Sequence, residues 1–181
     1  VELPDLETIW KTNSTNLTPS NPVTLSWTNN QNITFKINYT IDDEYMFSIT
    51  QEIENKGNSN IEVFPYRLIK RINTPDTINF FILHEGFISL INDELLEKNY
   101  DDIADDCNSS MPSKKEFCDN KAQGGWLGFT DKYWMSALIP DANQSINVNY
   151  RYGNNGRDSY RAGYVGQIYK VSSGERLEYG G

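Results

Sequence analysis

Between Ile33 and Ile41 the chain sets Ile33, Phe35, Ile37, Tyr39 and Ile41 alternately with Thr34, Lys36, Asn38 and Thr40. Successive side chains of an extended strand point to opposite faces, so this period of two predicts a strand with one buried and one wet face. The same alternation recurs. Val23, Leu25 and Trp27 lead into the hairpin turn Asn29-Asn30-Gln31-Asn32. Asp42-Asp43-Glu44 turns the chain into a strand over 45–54, with Phe47, Ile49 and Ile53 on one face, and Asn55-Lys56-Gly57-Asn58 turns it again. The run 61–72 is interrupted at Pro65, which marks an edge or a bulge. Gly86 splits the apolar stretch 77–91 into two short strands. Ile146, Val148, Tyr150 and Tyr152 alternate before an Asn154-Asn155-Gly156 turn. A long strand is expected over 160–171 with bulges at Gly163 and Gly166, and Ser172-Ser173-Gly174-Glu175 begins a final hairpin. Helix is expected only as short turns, at 4–11 and 93–99, while 101–120 reads as an acidic, polar excursion. Roughly eight to ten strands at about twelve-residue spacing predict an all-β fold, an antiparallel two-sheet sandwich with little helix.

The block from Gly124 to Asp141 sets Trp126, Phe129, Tyr133 and Trp134 among three glycines. Glycine lets backbone approach backbone or ring, and large aromatics carry much of the burial in a packed sheet. The block predicts a turn feeding a buried strand over 133–139 that stops at Pro140-Asp141. It carries no His or Cys and only one Asp–Lys pair, Asp131 and Lys132, so it is not expected to be a reaction centre.

With 38% hydrophobic and 13% aromatic residues, 181 residues are enough for one sizeable folded core. Residues 1–21 read as a lead-in and connector, and 22–181 as the sandwich domain. The opening Val1-Glu2-Leu3-Pro4, without a Met start or signal peptide, reads as a piece of a longer protein. A net charge of −9 repels phosphate backbones and anionic lipid, so nucleic-acid binding is not expected. No apolar run of about 18 residues is present to span a membrane.

Cys107 and Cys118 flank a polar loop bearing Pro and Ser. The pair suits a loop-closing disulfide, stabilising by about 3 kcal/mol at most and belonging to an oxidising compartment. Two free thiols are the alternative. A zinc site would need ligands beyond the lone, distant His84. Asn-X-Ser/Thr sequons stand at Asn13, Asn16, Asn32, Asn38, Asn108 and Asn143, but the chain is so rich in Asn that chance accounts for them, and no glycan is expected.

From Pro22-Val-Thr-Leu-Ser-Trp27 onward the chain resembles a known family. Asp42-Asp-Glu-Tyr-Met-Phe47, Glu54-Asn-Lys-Gly57, Ile82-Leu-His-Glu-Gly86, Tyr100-Asp-Asp-Ile103, Gly124-Gly-Trp-Leu-Gly-Phe-Thr-Asp-Lys-Tyr-Trp134 and Ala137-Leu-Ile-Pro-Asp141 follow in order. Together they resemble the periplasmic domain of the YidC/Oxa/Alb insertase family, in spacing like its alphaproteobacterial members. The resemblance implies an antiparallel β-supersandwich of the galactose mutarotase type, here truncated at both ends, which would leave an exposed sheet edge. It implies a place on the periplasmic side of the bacterial inner membrane, with one membrane helix before the domain and five after it. The implied role is non-catalytic: a scaffold, or a docking surface for Sec translocon accessory subunits (SecD/SecF type) or nascent membrane proteins. No cofactor or metal is implied. The Cys107–Cys118 loop looks like an insertion on the family pattern.

The remaining candidates divide into sharp and plain readings. His84-Glu85 would suit proton transfer on a sugar, the alternative function being a carbohydrate-binding or sugar-epimerising domain, but that chemistry needs a second group, and a structural histidine is the plainer reading. Asp101, Asp102, Asp105 and Asp106 lack calcium-loop spacing and read as a solvated acidic turn. Trp126, Tyr133, Trp134 and Tyr164 would line a cleft for an extended peptide or glycan, or else pack in the core. Arg67, Lys70 and Arg71 would mark a docking face for an acidic partner, or else a charged edge.

Overall fold

In the computed structural model, which describes residues 1–76, 84–108 and 118–180, antiparallel strands make up nearly all of the regular structure. The chain divides into two compact units, one of Val1–Pro65 with Ile168–Gly181 and one of Tyr66–Gln167.

The first unit is built on the alternation at Ile33. Strands β1 (Lys11–Thr12), β2 (Val23–Thr28), β3 (Ile33–Ile41) and β4 (Phe47–Asn55) are neighbours in one sheet, and β15 (Arg176–Tyr179) completes it beside β4. The lead-in thus joins the sheet, Lys11 and Thr12 standing opposite Ser26 and Leu25. Strands β5 (Ile61–Val63) and β14 (Tyr169–Val171) form a separate ribbon. Ile33 and Phe35 from β3, Ile61 from β5 and Val171 from β14 are the buried cluster, with Trp10, Trp27, Ile53, Val63 and Leu177 packed round it. The rings of Trp27 and Phe35 stack with centroids 5.8 Å apart. Glu52, only 5% exposed, lies between Lys36 and Arg176, each at 2.8 Å. A carboxylate held so far from water needs such partners to stay charged at low cost.

The second unit is a two-sheet sandwich. One sheet runs in the order β11 (Trp134–Leu138), β10 (Trp126–Asp131), β7 (Gly86–Ile91), β8 (Glu94–Asn99). The other runs β6 (Tyr66–Ile72), β13 (Asp158–Val165), β12 (Ser145–Asn154), β9 (Asp119–Gln123). The interior between them is aromatic: Phe87 meets Phe129 beside it in its own sheet at 4.3 Å and Tyr150 of the other sheet at 4.8 Å, and Tyr100, which follows β8, meets the edge of Tyr160 at 4.8 Å. Offset and edge-on pairs add about 0.5–1.5 kcal/mol each beyond their buried area. Gly128 is required where β10 meets β11, because a Cβ there would stand 2.0 Å from the Ser136 carbonyl oxygen.

The all-β, antiparallel reading holds, and several local expectations change. The Gly124–Asp141 block is a whole hairpin, β10 and β11, and it is β10 that is buried, through Leu127, Gly128 and Phe129. The expected buried strand over 133–139 is exposed over Tyr133–Ser136. Residues 94–99 are strand, and the helix α1 (Tyr100–Asp106) lies in what reads as an acidic excursion. Its reason is local. The Asn99 side chain accepts from the Asp102 amide, Asp101 and Asp102 sit in the first turn, and Tyr100 and Ile103 are buried. Asn92 and Asp93, at φ 53° and 64°, make the tight turn that keeps 94–99 extended. The long strand expected over 160–171 is two strands, and β15 pairs with β4 while β14 pairs with β5, so they do not make a hairpin together. The first of the two strands expected within 77–91 lies mostly outside the described residues.

Candidate functional site

Period two assigns the side chains of β6. Arg67, Ile69 and Arg71 are half-buried, whereas Tyr66, Leu68, Lys70 and Ile72 are exposed. The expected docking trio Arg67, Lys70 and Arg71 is therefore split between two faces of one strand. Arg71 is drawn into an ion pair with Asp131 at 3.2 Å, and Asp131 also accepts a hydrogen bond of 2.6 Å from the Tyr100 hydroxyl. This chain of contacts ties β6 to β10 and to the start of α1. Burial first, and then the Asp131 carboxylate, pushes the Tyr100 phenol well above its ordinary value.

The four aromatics that a cleft would need side by side, Trp126, Tyr133, Trp134 and Tyr164, are not brought together. Tyr164 is buried inside the second unit, and Trp126 is half-buried at the start of β10. Trp134 pairs with Asp131 at the far end of β10, roughly 17 Å along the strand at 3.3 Å per residue. Tyr133 and Trp134 are 86% and 80% exposed, with Met135 beside them at 54%. Tyr133 has φ 72° at the hairpin tip, and Lys132 Nζ stands 5.1 Å from its ring centre. Left-handed backbone is uncommon for a bulky residue, and here no burial offsets its cost.

Sequence reasoning missed a matching tip on the first unit. Tyr45 has φ 64° and is 81% exposed, and Met46 and Phe47 follow it into the open. The signal was the run Asp42-Asp-Glu-Tyr-Met-Phe47, in which large apolar residues stand beside a turn made of acids.

Cys107 and Cys118 are disulfide-bonded and fully buried. The bond fastens the end of α1 to the start of β9. Arg151 donates to the Cys118 carbonyl at 3.0 Å, and the Cys107 carbonyl accepts from the Tyr152 amide at 2.7 Å. Asp106 at the end of α1 faces Lys98 at 3.9 Å, so the acidic stretch is partly buried helix and not a solvated turn. His84 Nε2 contacts the Phe87 carbonyl at 2.7 Å, as a structural histidine does, and Glu85 is buried beside it.

A cleft of about 280 Å³ lies between β8 and β9, lined by Ser89, Ile91, Glu94, Leu96, Asn120 and Tyr150. Burial pushes the Tyr150 phenol up to about 12, with the neighbouring Ser89 side chain acting in the lowering direction. At neutral pH it is a neutral hydroxyl, able to hold a ligand but poorly placed to take up a proton.

Comparison with known proteins gives the family. Residues 2–179 match the YidC periplasmic domain. The chain is 36% identical over 166 residues to the membrane protein insertase YidC of Granulibacter bethesdensis, covering 91% of the chain and 28% of that protein. It is 35% identical over 176 residues to the insertase of a Ruegeria species, covering 96% of the chain and 29% of that protein. Over 148 residues it is 42% identical to that of a Jannaschia species, covering 80% of the chain and 24% of that protein. The chain spans less than a third of the length of these relatives, and no helix among its described residues is long and apolar enough to cross a membrane. The match runs through both units and both aromatic hairpin tips, and on it the chain belongs to the YidC periplasmic domain family.

Proposed function

We propose that this domain serves its insertase without catalysing a reaction, as a docking surface on the periplasmic side of the inner membrane. Its partners are accessory subunits of the Sec translocon or emerging membrane proteins. One observation carries the reading: Tyr133, at φ 72° and 86% exposed, followed by the exposed Trp134. Neither backbone preference nor packing favours an aromatic there, whereas aromatics exposed to a partner supply large rigid contact area. The chemistry of the interior agrees with a binding role, since the His84 ring is engaged by a backbone carbonyl and the Tyr150 phenol stays protonated.

The test is a binding measurement with the full-length insertase in detergent and purified Sec accessory subunits on a sensor surface. The variant Tyr133→Asn with Trp134→Ser is expected to weaken binding by roughly tenfold, a hot-spot effect of about 1.4 kcal/mol. Unchanged binding to these subunits and unchanged insertion of a membrane-protein substrate would remove the reading.

A further inference from the structure

The outward face of the sheet β6-β13-β12-β9 carries charge of the wrong sign for this chain. Reading the register across it, Lys70 stands opposite Arg161, and Arg161 opposite Arg151. In the neighbouring rows Leu68 faces Gly163 beside Asn149 and Asp119, and Tyr66 faces Val165 beside Asn147 and Lys121. The titratable groups on this face among the described residues are thus four cations, Lys70, Arg161, Arg151 and Lys121, against one carboxylate, Asp119. The whole chain has a net charge of −9. Asp119 is already taken by Arg151 Nη2 at 2.5 Å, and Arg151 Nη1 donates to the Tyr150 and Cys118 carbonyls. Lys70 and Arg161 are exposed and stand in no ion pair among the described residues.

Like charges directly opposite across a strand pair cost stability, so the Lys70–Arg161 pair is a local expense with no return inside the fold. Along β6 the same face exposes Tyr66, Leu68 and Ile72, at 60%, 46% and 43%. An apolar column along the strand thus crosses a cationic row across the sheet. The column repeats at about 6.6 Å and the row at about 4.8 Å.

We propose that this face docks an acidic, amphipathic segment of a partner protein, its carboxylates on Lys70 and Arg161 and its apolar side chains along Tyr66, Leu68 and Ile72. The surface serves the docking role proposed above and extends it to a second site, distinct from the Tyr133–Trp134 tip. A protein segment is favoured over an anionic bilayer because the net negative charge of the chain opposes a broad anionic surface. A short segment feels mainly charges within a Debye length of about 8 Å. A lone cationic row without the apolar column would fit either; the column selects the amphipathic segment.

The test uses fluorescence anisotropy of the chain with a short fluorescein-labelled peptide alternating leucine and glutamate. Its lysine counterpart and phosphatidylglycerol vesicles are run in parallel. The acidic peptide is expected to bind, more weakly as salt rises, and the lysine peptide is not. K70E/R161E should lose at least roughly tenfold in affinity, K70Q/R161Q less, and Arg157→Glu, in an exposed turn, nothing. Leu68→Ser should weaken binding without changing its salt dependence. Equal binding of the two peptides, indifference to both double variants, or tighter binding to the vesicles would overturn the proposal. Such a failure, with Tyr133 and Trp134 still needed for Sec-subunit binding, would remove this surface and leave the docking reading standing.

Discussion

Tyr133 and Tyr45 hold the same position in their units, bulky aromatics at positive φ on hairpin tips. Left-handed backbone costs an ordinary residue about 1–2 kcal/mol and Asn less. Tyr133→Asn is therefore expected to raise unfolding stability by about 1 kcal/mol, read as a higher urea midpoint at unchanged slope. A lower midpoint would mean that the ring packs against something after all. Tyr100 is the opposite case, a side chain whose polar end is used inside the fold. Its pKa is raised by burial and by Asp131, so the neutral phenol stabilises the fold fully below the unfolded value near 10. That contribution is lost as pH rises through the folded value. Stability should fall above about pH 10 more steeply in the parent than in Tyr100→Phe. At neutral pH that variant should cost about 1–2 kcal/mol through the bond lost to Asp131. Equal pH slopes for the two proteins would contradict the assignment. None of this was legible in the residue string. Burial of Tyr100 depends on a helix that the acids around it hide, and a positive φ at Tyr133 leaves no trace where Gly or Asn would announce one.

Strands were the legible elements. Ile33–Ile41 alternates over its full length because β3 has neighbours on both sides and one buried face, and its observed bounds match the alternation. The misread elements share a cause. In β11 the apolar residues Trp134 and Met135 are on the surface, so hydrophobicity pointed to a core that is elsewhere. In α1 the core contribution is only Tyr100 and Ile103, too few to show a helical period among Asp residues. The disulfide was legible as a pairing, but not as the fastening between α1 and β9. Replacing Cys107 and Cys118 by Ser is expected to lower stability by about 3 kcal/mol by the loop-entropy relation. Hydrogen exchange should show α1 and β9 losing protection before β12 and β13. Uniform loss would mean that the bond constrains only the unfolded chain. Gly128→Ala should destabilise strongly, since the colliding atoms belong to the backbone of β11.

On the scale of the molecule, the interior and the surface of this chain have separate tasks. Among the described residues the interior of each unit is filled mainly by apolar and aromatic side chains, and the buried Glu52 is paired with Lys36 and Arg176. The surface carries what folding does not need: two aromatic tips, and a cationic row in an acidic chain. Of the trio Arg67, Lys70 and Arg71, only Lys70 lies on the exposed face of β6, because successive side chains along a strand point to opposite faces. The residues beside Lys70 on that face, Arg161 and Arg151, lie far along the chain and come together with it only through strand pairing. The most direct test is photo-crosslinking in living cells from full-length insertase carrying a benzophenone amino acid in place of Trp134. Crosslinks to a Sec accessory subunit or to a membrane protein under insertion are predicted from that position, and none from the exposed turn at Asn155. Absence of crosslinks at 134, or the same pattern from 155, would contradict the claim that the exposed tip is there to meet a partner.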